Sequence, residues 1–297
     1  MNWIPVYTGM TSFMPELPEV QTIANDLNKV MLGRPLLKIT TPWPGSIQTP
    51  VAAMRRRLIG KSVKQITRVG KTLVLSWGDV YLLIHLKMTG QLVWQSGRQV
   101  LAGGHPIVNA GSGLPNKFTR VILEFQGGRL FFNDVRKFGW LRLADNVGLA
   151  AYRQHFGLEP LERGFGGRQL RQALVGKQKS NIKAALLDQT KLAGLGNIYV
   201  DEALFAAGLK PQRLVSSLNK TDWPKLAAAI KRVLKNSIKH RGTSFSDYRD
   251  GQGQKGNFSQ HLRVYGRARQ NCYHCGGPIS KARLAGRGTH WCEHCQH

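Results

Sequence analysis

The spacing of apolar residues changes character twice along the chain. In "LPEVQTIANDLNKVMLG", which begins at Leu17, the residues Val20, Ile23, Ala24, Leu27, Val30 and Met31 recur at i, i+3, i+4 and i+7. That spacing predicts an amphipathic helix. Pro18 suits its first position and Gly33 its stop. From Leu36 to about Leu143 the apolar runs become short, rich in Val, Ile, Leu and aromatics, and punctuated by glycine: "LLKITT", "SVKQITRV", "KTLVLSW", "VYLLIHL", "RVILEF", "RLFFND" and "FGWLRL". Such runs predict antiparallel strands packed as a β-sandwich. Residues 96–116, "SGRQVLAGGHPIVNAGSGLPN", have no clear period and read as a long loop.

After "ADNVGLA" the helical period returns in "GRQLRQALVG", "SNIKAALLDQT", "NIYVDEALFAAG" and "SSLNKTDWPKLAAAIKRVLKNSIKHRG". A polar, Gly-rich loop follows over 242–258, and the chain ends in a cysteine-bearing segment. The expected class is α+β: an N-terminal β-sandwich flanked by helices (14–147), a helical domain (148–260) and a terminal module (261–297). No internal repeat is present.

Charge changes the picture from fold to partner. Against 16 acidic residues stand 43 lysines and arginines, a formal net charge of +27. That imbalance points to a polyanion, with nucleic acid ahead of a merely soluble basic surface. No apolar run is long enough to span a bilayer, so no membrane partner is expected. The first 13 residues carry no Lys or Arg and so lack the basic region of a secretory signal. A cytoplasmic location is therefore expected, where thiols are free or metal-bound rather than paired.

All four cysteines lie in the last 26 residues: Cys272 and Cys275 in "CYHC", then 16 residues, then Cys292 and Cys295 in "CEHC". This is C-x2-C spacing on two turns, which predicts one tetrahedral Zn2+. Two disulfides are the alternative. Four thiolates leave no ligand position open, so the metal is expected to be structural, holding the hairpin "GGPISKARLAGRGTHW". His274, His290 and His294 lie close enough in sequence to compete as ligands.

Two glutamates stand out in so basic a chain. Glu19 falls in the first turn of the predicted helix, where the dipole favours a carboxylate. Glu16 precedes the helix and has no evident structural role. Together "MPELPEVQT" from Met14, "GLGNIYVDEALFAAG" and the four-cysteine tail ending "CQH" resemble the bacterial formamidopyrimidine-DNA glycosylases, in order from Met14 to His297. The resemblance implies a helix-two-turn-helix in the helical domain and a zinc-finger hairpin. It also implies a bifunctional DNA glycosylase and AP lyase of base excision repair, acting as a monomer on duplex DNA with oxidised bases or abasic sites, in the bacterial nucleoid.

The same resemblance assigns roles by position. Pro15 is the nucleophile, provided that translation starts at Met14 and that methionine is removed. Glu16 is the general acid/base, and Glu19 a supporting acid. Lys71, in "RVGKTLVL", and Arg287, in "AGRGTHW", are counted with the catalytic group and join Asn197 at phosphate-binding positions, Asn197 also being a natural helix N-cap, a reading compatible with binding phosphate. Met88, Arg136 and Phe138 match the residues that fill the gap left by a flipped nucleotide, although Met88 and Phe138 could equally be core. Lys179 matches a lysine near the lesion, with a solvated surface lysine as the alternative. The 242–258 loop matches the segment that closes over the flipped base.

Gln21 departs from the glutamate often found in the family. More consequential are residues 1–13, which would lock Pro15 into an amide. A misassigned start codon is the favoured reading, so that residues 1–13 are absent from the mature protein. A processed leader and a true extension on a non-cutting DNA-binding protein are the alternatives. Oxidised purines, chiefly 8-oxoguanine opposite cytosine and formamidopyrimidines, are the expected substrates, rather than the oxidised pyrimidines of the related endonuclease VIII branch.

Overall fold

The computed structural model describes residues 14–105, 113–243 and 257–297. The first half comprises α1 (Leu17–Met31), β1 (Leu36–Thr40), α2 (Val51–Leu58), β2 (Gln65–Val69), β3 (Thr72–Ser76), β4 (Val80–His85), β5 (Gly90–Ser96), β6 (Gln99–Gly104), β7 (Thr119–Phe125), β8 (Gly128–Asp134) and β9 (Trp140–Asp145). The second comprises α3 (Asn146–Gln154), α4 (Gly167–Ala173), α5 (Ile182–Leu187), α6 (Asn197–Ala207), α7 (Asp222–Lys239), β10 (Ile279–Leu284) and β11 (Arg287–Cys292). No described helix is long and apolar enough to cross a membrane.

Two antiparallel sheets form the sandwich, one of order β1-β7-β8-β5-β6 and one of order β2-β3-β4-β9. Alternation along each strand sorts its side chains between faces. Leu73 and Leu75 of β3 face the interior, whereas Val74 packs outward with Leu83 and Leu149 of α3. In β8, Leu130 and Phe132 point inward while Phe131 meets Val93 and Ile122 on the other side. Each such apolar side chain contributes about 1.5–3 kcal/mol by leaving water.

Helix α1 belongs to both cores. Val20, Ile23, Ala24, Leu27 and Met31 pack into the sandwich. Leu17, one turn earlier, packs instead with Leu170, Tyr199 and Leu226 of the helical domain. Its N–H donates to the Gly194 carbonyl at 3.1 Å. The first turn of α1 is thereby held at the junction of the two domains.

Several elements escape the sequence expectation. The 96–116 stretch is not all loop: β6 is an edge strand within it, paired from Gln91↔Gly104 to Ser96↔Gln99 on β5, itself unanticipated. Cross-strand hydrogen bonds, rather than local periodicity, define that edge, and residues 106–112 of the stretch lie outside the described residues. Helix α2 buries only Met54 and Leu58, too few apolar positions to register as a period. Helix α3 begins inside "ADNVGLA", capped by Asp145, whose carboxylate accepts the Gly148 N–H at 2.8 Å. Of the 242–258 loop, residues 244–256 lie outside the described residues.

A fork of hydrogen bonds also ties the domains together. Arg68 of β2 donates to Glu159 at 2.7 and 2.8 Å, to Gln21 at 2.9 Å and to the Gly70 carbonyl at 3.2 Å. Arg68 is 6% and Glu159 20% exposed at the side chain, so the pair is well shielded from water. Arg68→Met should lower unfolding free energy by about 2–3 kcal/mol, because Glu159 then loses its partner. Urea denaturation measures this, and a loss below about 0.5 kcal/mol would return the pair to the class of weak surface contacts.

Candidate active site

Glu16 immediately precedes α1 in extended conformation (φ −98°, ψ −170°) and is 5% exposed. Its Oε1 accepts the Ile198 N–H at 3.2 Å, so the carboxyl group sits at the start of α6, where the helix dipole favours negative charge. Gly196 makes this approach possible: a Cβ there would lie 2.1 Å from the Glu16 Cδ. Oε2 is buried without a hydrogen-bond partner among the described residues. Burial pushes the Glu16 carboxyl up to about 7, against the Lys71 ammonium, which lowers it, and with the neighbouring Glu19, which raises it. A carboxyl group so poised can hold or release a proton near neutral pH.

Glu19 is both helix cap and scaffold. It accepts the Glu16 N–H at 3.0 Å, the Tyr199 hydroxyl at 2.5 Å and the Thr243 N–H at 2.7 Å. Tyr199 also bonds Ser237 at 2.6 Å, which ties the first turn of α1 to α6 and α7. Tyr199 and Thr243 lie 180 and 224 positions away in sequence, beyond what local pattern can reveal.

Lys71 stands with Gly70 in the two-residue turn between β2 and β3 and is 8% exposed. It makes no side-chain hydrogen bond or ion pair among the described residues. Burial lowers its pKa, offset by the charges of Glu16 and Glu19, while Arg287 lowers it further. Lys71 thus lies within electrostatic reach of Glu16, Glu19 and Arg287. Pro15 itself is buried, one residue ahead of Glu16.

Arg287 is presented by the zinc module. The Sγ atoms of Cys272, Cys275, Cys292 and Cys295 lie within 4.8 Å of one another, with Cys272 to Cys295 at 3.8 Å and Cys275 to Cys292 at 3.4 Å. A tetrahedron with Zn–S bonds of about 2.3 Å requires S···S separations near 3.8 Å, so the four thiolates fit one structural Zn2+. Next to the cluster, β10 and β11 pair from Ile279↔Cys292 to Leu284↔Arg287. Ala285 and Gly286, with φ of 49° and 73°, close the hairpin and leave Arg287 exposed at its tip.

Asn197 behaves differently from expectation. It is the first residue of α6, not its N-cap, which is Gly196. Glu16 already occupies the helix start, and Asn197 Nδ2 instead donates to the Gly288 carbonyl at 2.9 Å, joining α6 to the zinc hairpin.

Met88, Arg136 and Phe138 do come together. Arg136 Nη1 donates to the Met88 Sδ at 3.2 Å, and its guanidinium lies 4.8 Å from the Phe138 ring centre. Phe138 is 55% exposed, so it is not core. Lys179 is exposed, without a side-chain partner among the described residues.

Sequence reasoning missed the acids that seat the zinc module. Asp201 pairs with fully buried Lys183 at 2.7 Å and accepts the His290 N–H of β11 at 2.8 Å. Glu202 takes the N–H groups of Arg263, Val264 and Tyr265 at 2.8 to 3.0 Å. Two adjacent acids inside the otherwise apolar helix "NIYVDEALFAA" were the available signal.

Known proteins resemble the chain over nearly its whole length. Residues 14–141 match the Formamidopyrimidine-DNA glycosylase N-terminal domain, 156–249 the Formamidopyrimidine-DNA glycosylase H2TH domain, and 270–297 the zinc finger found in FPG and IleRS. A formamidopyrimidine-DNA glycosylase of Desulfitobacterium hafniense is 41% identical over 295 residues, covering 95% of this chain and 100% of the relative. That of Carboxydothermus hydrogenoformans is 38% identical over 285 residues, with the same coverage. Among solved structures, Lactococcus lactis Fpg in complex with abasic-site DNA is 32% identical with a TM-score of 0.83, covering 95% of this chain and 99% of that one. The wild-type Lactococcus lactis protein bound to DNA containing N7-benzyl-Fapy-dG has the same identity and score, covering 95% and 100%. With three domains matched in order and the Glu16 site at their junction, this chain belongs to the formamidopyrimidine-DNA glycosylase family.

Proposed function

We propose that the chain, begun at Met14 and shorn of that methionine, excises oxidised purines through its terminal Pro15 and then nicks the strand. An α-amino group has a reference pKa near 8, against about 10.4 for lysine, so more of it is neutral and nucleophilic at pH 7. Its lone pair attacks C1′ of the damaged nucleotide. The N–C1′ bond forms, the glycosidic bond breaks and the base leaves with a proton. Ring opening then gives an iminium, with the sugar ring oxygen protonated by Glu16. The cationic nitrogen accepts the electrons of β-elimination and then δ-elimination, releasing the two flanking phosphates. Lys71, Arg287 and Asn197 hold those phosphates, and Met88, Arg136 and Phe138 fill the gap in the duplex. Lys179 contacts the strand beside the lesion.

The observation that carries this reading is Glu16, a buried carboxyl group beside Pro15, held near pH 7 with one oxygen unpartnered. The substrates proposed are 8-oxoguanine opposite cytosine and formamidopyrimidines, with the protein acting as a monomer. Single-turnover excision should favour 8-oxoguanine over thymine glycol by tenfold or more. The reverse order would move the chain to the oxidised-pyrimidine branch, and an abasic duplex bound but left intact would make it a non-cutting binder.

Glu16 also leaves a stability signature. Its folded pKa lies above the unfolded value, so its contribution is fully present below about pH 4.5 and is lost as pH rises through about 7. That interval corresponds to about 3 kcal/mol. Glu16→Gln should therefore stop excision, yet lose less unfolding free energy than the parent between pH 5 and pH 8. An equal loss would place the group in water.

Removing zinc with a chelator should cost tenfold or more in affinity for abasic duplex, through loss of the hairpin that carries Arg287. Undiminished binding by zinc-free protein would contradict this. Arg287→Ala should reduce the salt slope of binding by about one, and an unaltered slope would remove it from the phosphate contacts.

A further inference from the structure

The three gap-filling candidates stand on two neighbouring turns, and one fully buried carboxylate lies between those turns. We propose that Asp134 is a positioning residue that assembles Met88, Arg136 and Phe138 into a single wedge. This inference rests on reading those three as the gap-filling set.

Strand pairing sets up the arrangement. Gly90 of β5 is the partner of Asp134 at the end of β8, so the β4–β5 turn and the β8–β9 loop leave the sheet side by side. Met88 is on the first and Arg136 with Phe138 on the second. Asp134 is 0% exposed. Its Oδ1 accepts the Thr89 hydroxyl and, at 3.1 Å, the Arg136 N–H. Its Oδ2 accepts the Gly139 N–H at 2.7 Å. Thr89 Oγ1 takes the same Arg136 N–H at 3.1 Å, which closes the network.

Each donor is a wedge residue or its chain neighbour. Thr89 follows Met88, Arg136 is itself a member, and Gly139 follows Phe138. Both turns also contain a non-glycine residue in the left-handed region, Lys87 at φ 52° and Lys137 at φ 60°. Such conformations persist where surrounding bonds over-determine them. The Asp134 network supplies those bonds for Lys137, and for Lys87 the neutral His85 ring does, its Nδ1 accepting the Lys87 N–H at 3.0 Å. Burial pushes His85 down to about 3, so that ring stays an acceptor. Gly139 has no room for a side chain: a Cβ would lie 2.6 Å from the Phe132 ring and 3.1 Å from Asp134 Oδ2.

The outer surface shows the product of this support. Arg136 lies between the Met88 sulfur and the Phe138 ring, and the Lys137 ammonium lies 3.7 Å from the centre of the Trp43 ring. A wedge ordered in advance does not lose side-chain and loop freedom when it enters the stack. Asp134, buried beneath, acts through the residues it holds.

The test compares nicking of an abasic site in a duplex with nicking of the same site in a single strand, by the zinc-loaded protein begun at Met14. A single strand has no opposite strand and no gap between stacked pairs, so only the duplex reaction uses the wedge. Asp134→Asn should lower the duplex to single-strand rate ratio by tenfold or more, as should Phe138→Ala. Thr89→Val should do the same, with Thr89→Ser restoring the ratio, which keeps the test intact if Asp134→Asn fails to fold. If Phe138→Ala lowers the ratio while Asp134→Asn and Thr89→Val leave it at the parent value, Asp134 has no positioning role. Rates of Asp134→Asn and Thr89→Val that fall in parallel on both substrates would overturn the role as well. If none of the variants moves the ratio, the gap-filling reading itself fails.

Discussion

The contact between the Glu16 carboxyl group and the start of α6 is the constraint on which the rest of the molecule depends. It joins the N-terminal residues of the sandwich domain to the helical domain, and it needs Gly196, since any Cβ would occupy the carboxyl's place. It also bears on the protonation of that carboxyl group. Burial raises the carboxyl's pKa, the Lys71 ammonium and the N–H groups at the start of α6 oppose that rise, and the group comes to about 7, where a proton can move either way.

The surrounding architecture serves to hold that point still. Helix α1 is anchored in two cores at once, Leu17 in one and Val20 to Met31 in the other. Glu19 ties the same turn to Tyr199 and Thr243. On the opposite wall, Asp201 and Glu202 fix the zinc module against α6, so that Arg287 approaches from a rigid hairpin rather than a free tail. Local rigidity of this kind is what a covalent mechanism with several proton transfers requires.

Much of this was legible in the sequence where chemistry is local. The C-x2-C pairs state their own geometry, the period of α1 places Glu16 just outside a helix, and "MPELPEVQT" carries the family likeness. What was not legible depends on contacts distant in sequence. Asn197 looked like a helix cap, but Gly196 is the N-cap, the Glu16 carboxyl accepts the Ile198 N–H of the first turn, and the Asn197 amide turns to the zinc hairpin. Strand β6 draws its order from β5 and not from its own composition. Asp134 reads as an ordinary acid at a strand end, and only the pairing of β5 with β8 reveals that it faces two turns.

Borohydride trapping tests most directly whether Pro15 becomes the terminal nucleophile. Protein begun at Met14 and protein begun at Met1 would each be incubated with an 8-oxoguanine:cytosine duplex and sodium borohydride, and the adduct mapped by mass. The expected result is a covalent adduct on Pro15 in the shorter protein and none in the longer. Trapping on another residue, or no adduct from protein whose intact mass proves Pro15 to be its first residue, would contradict it.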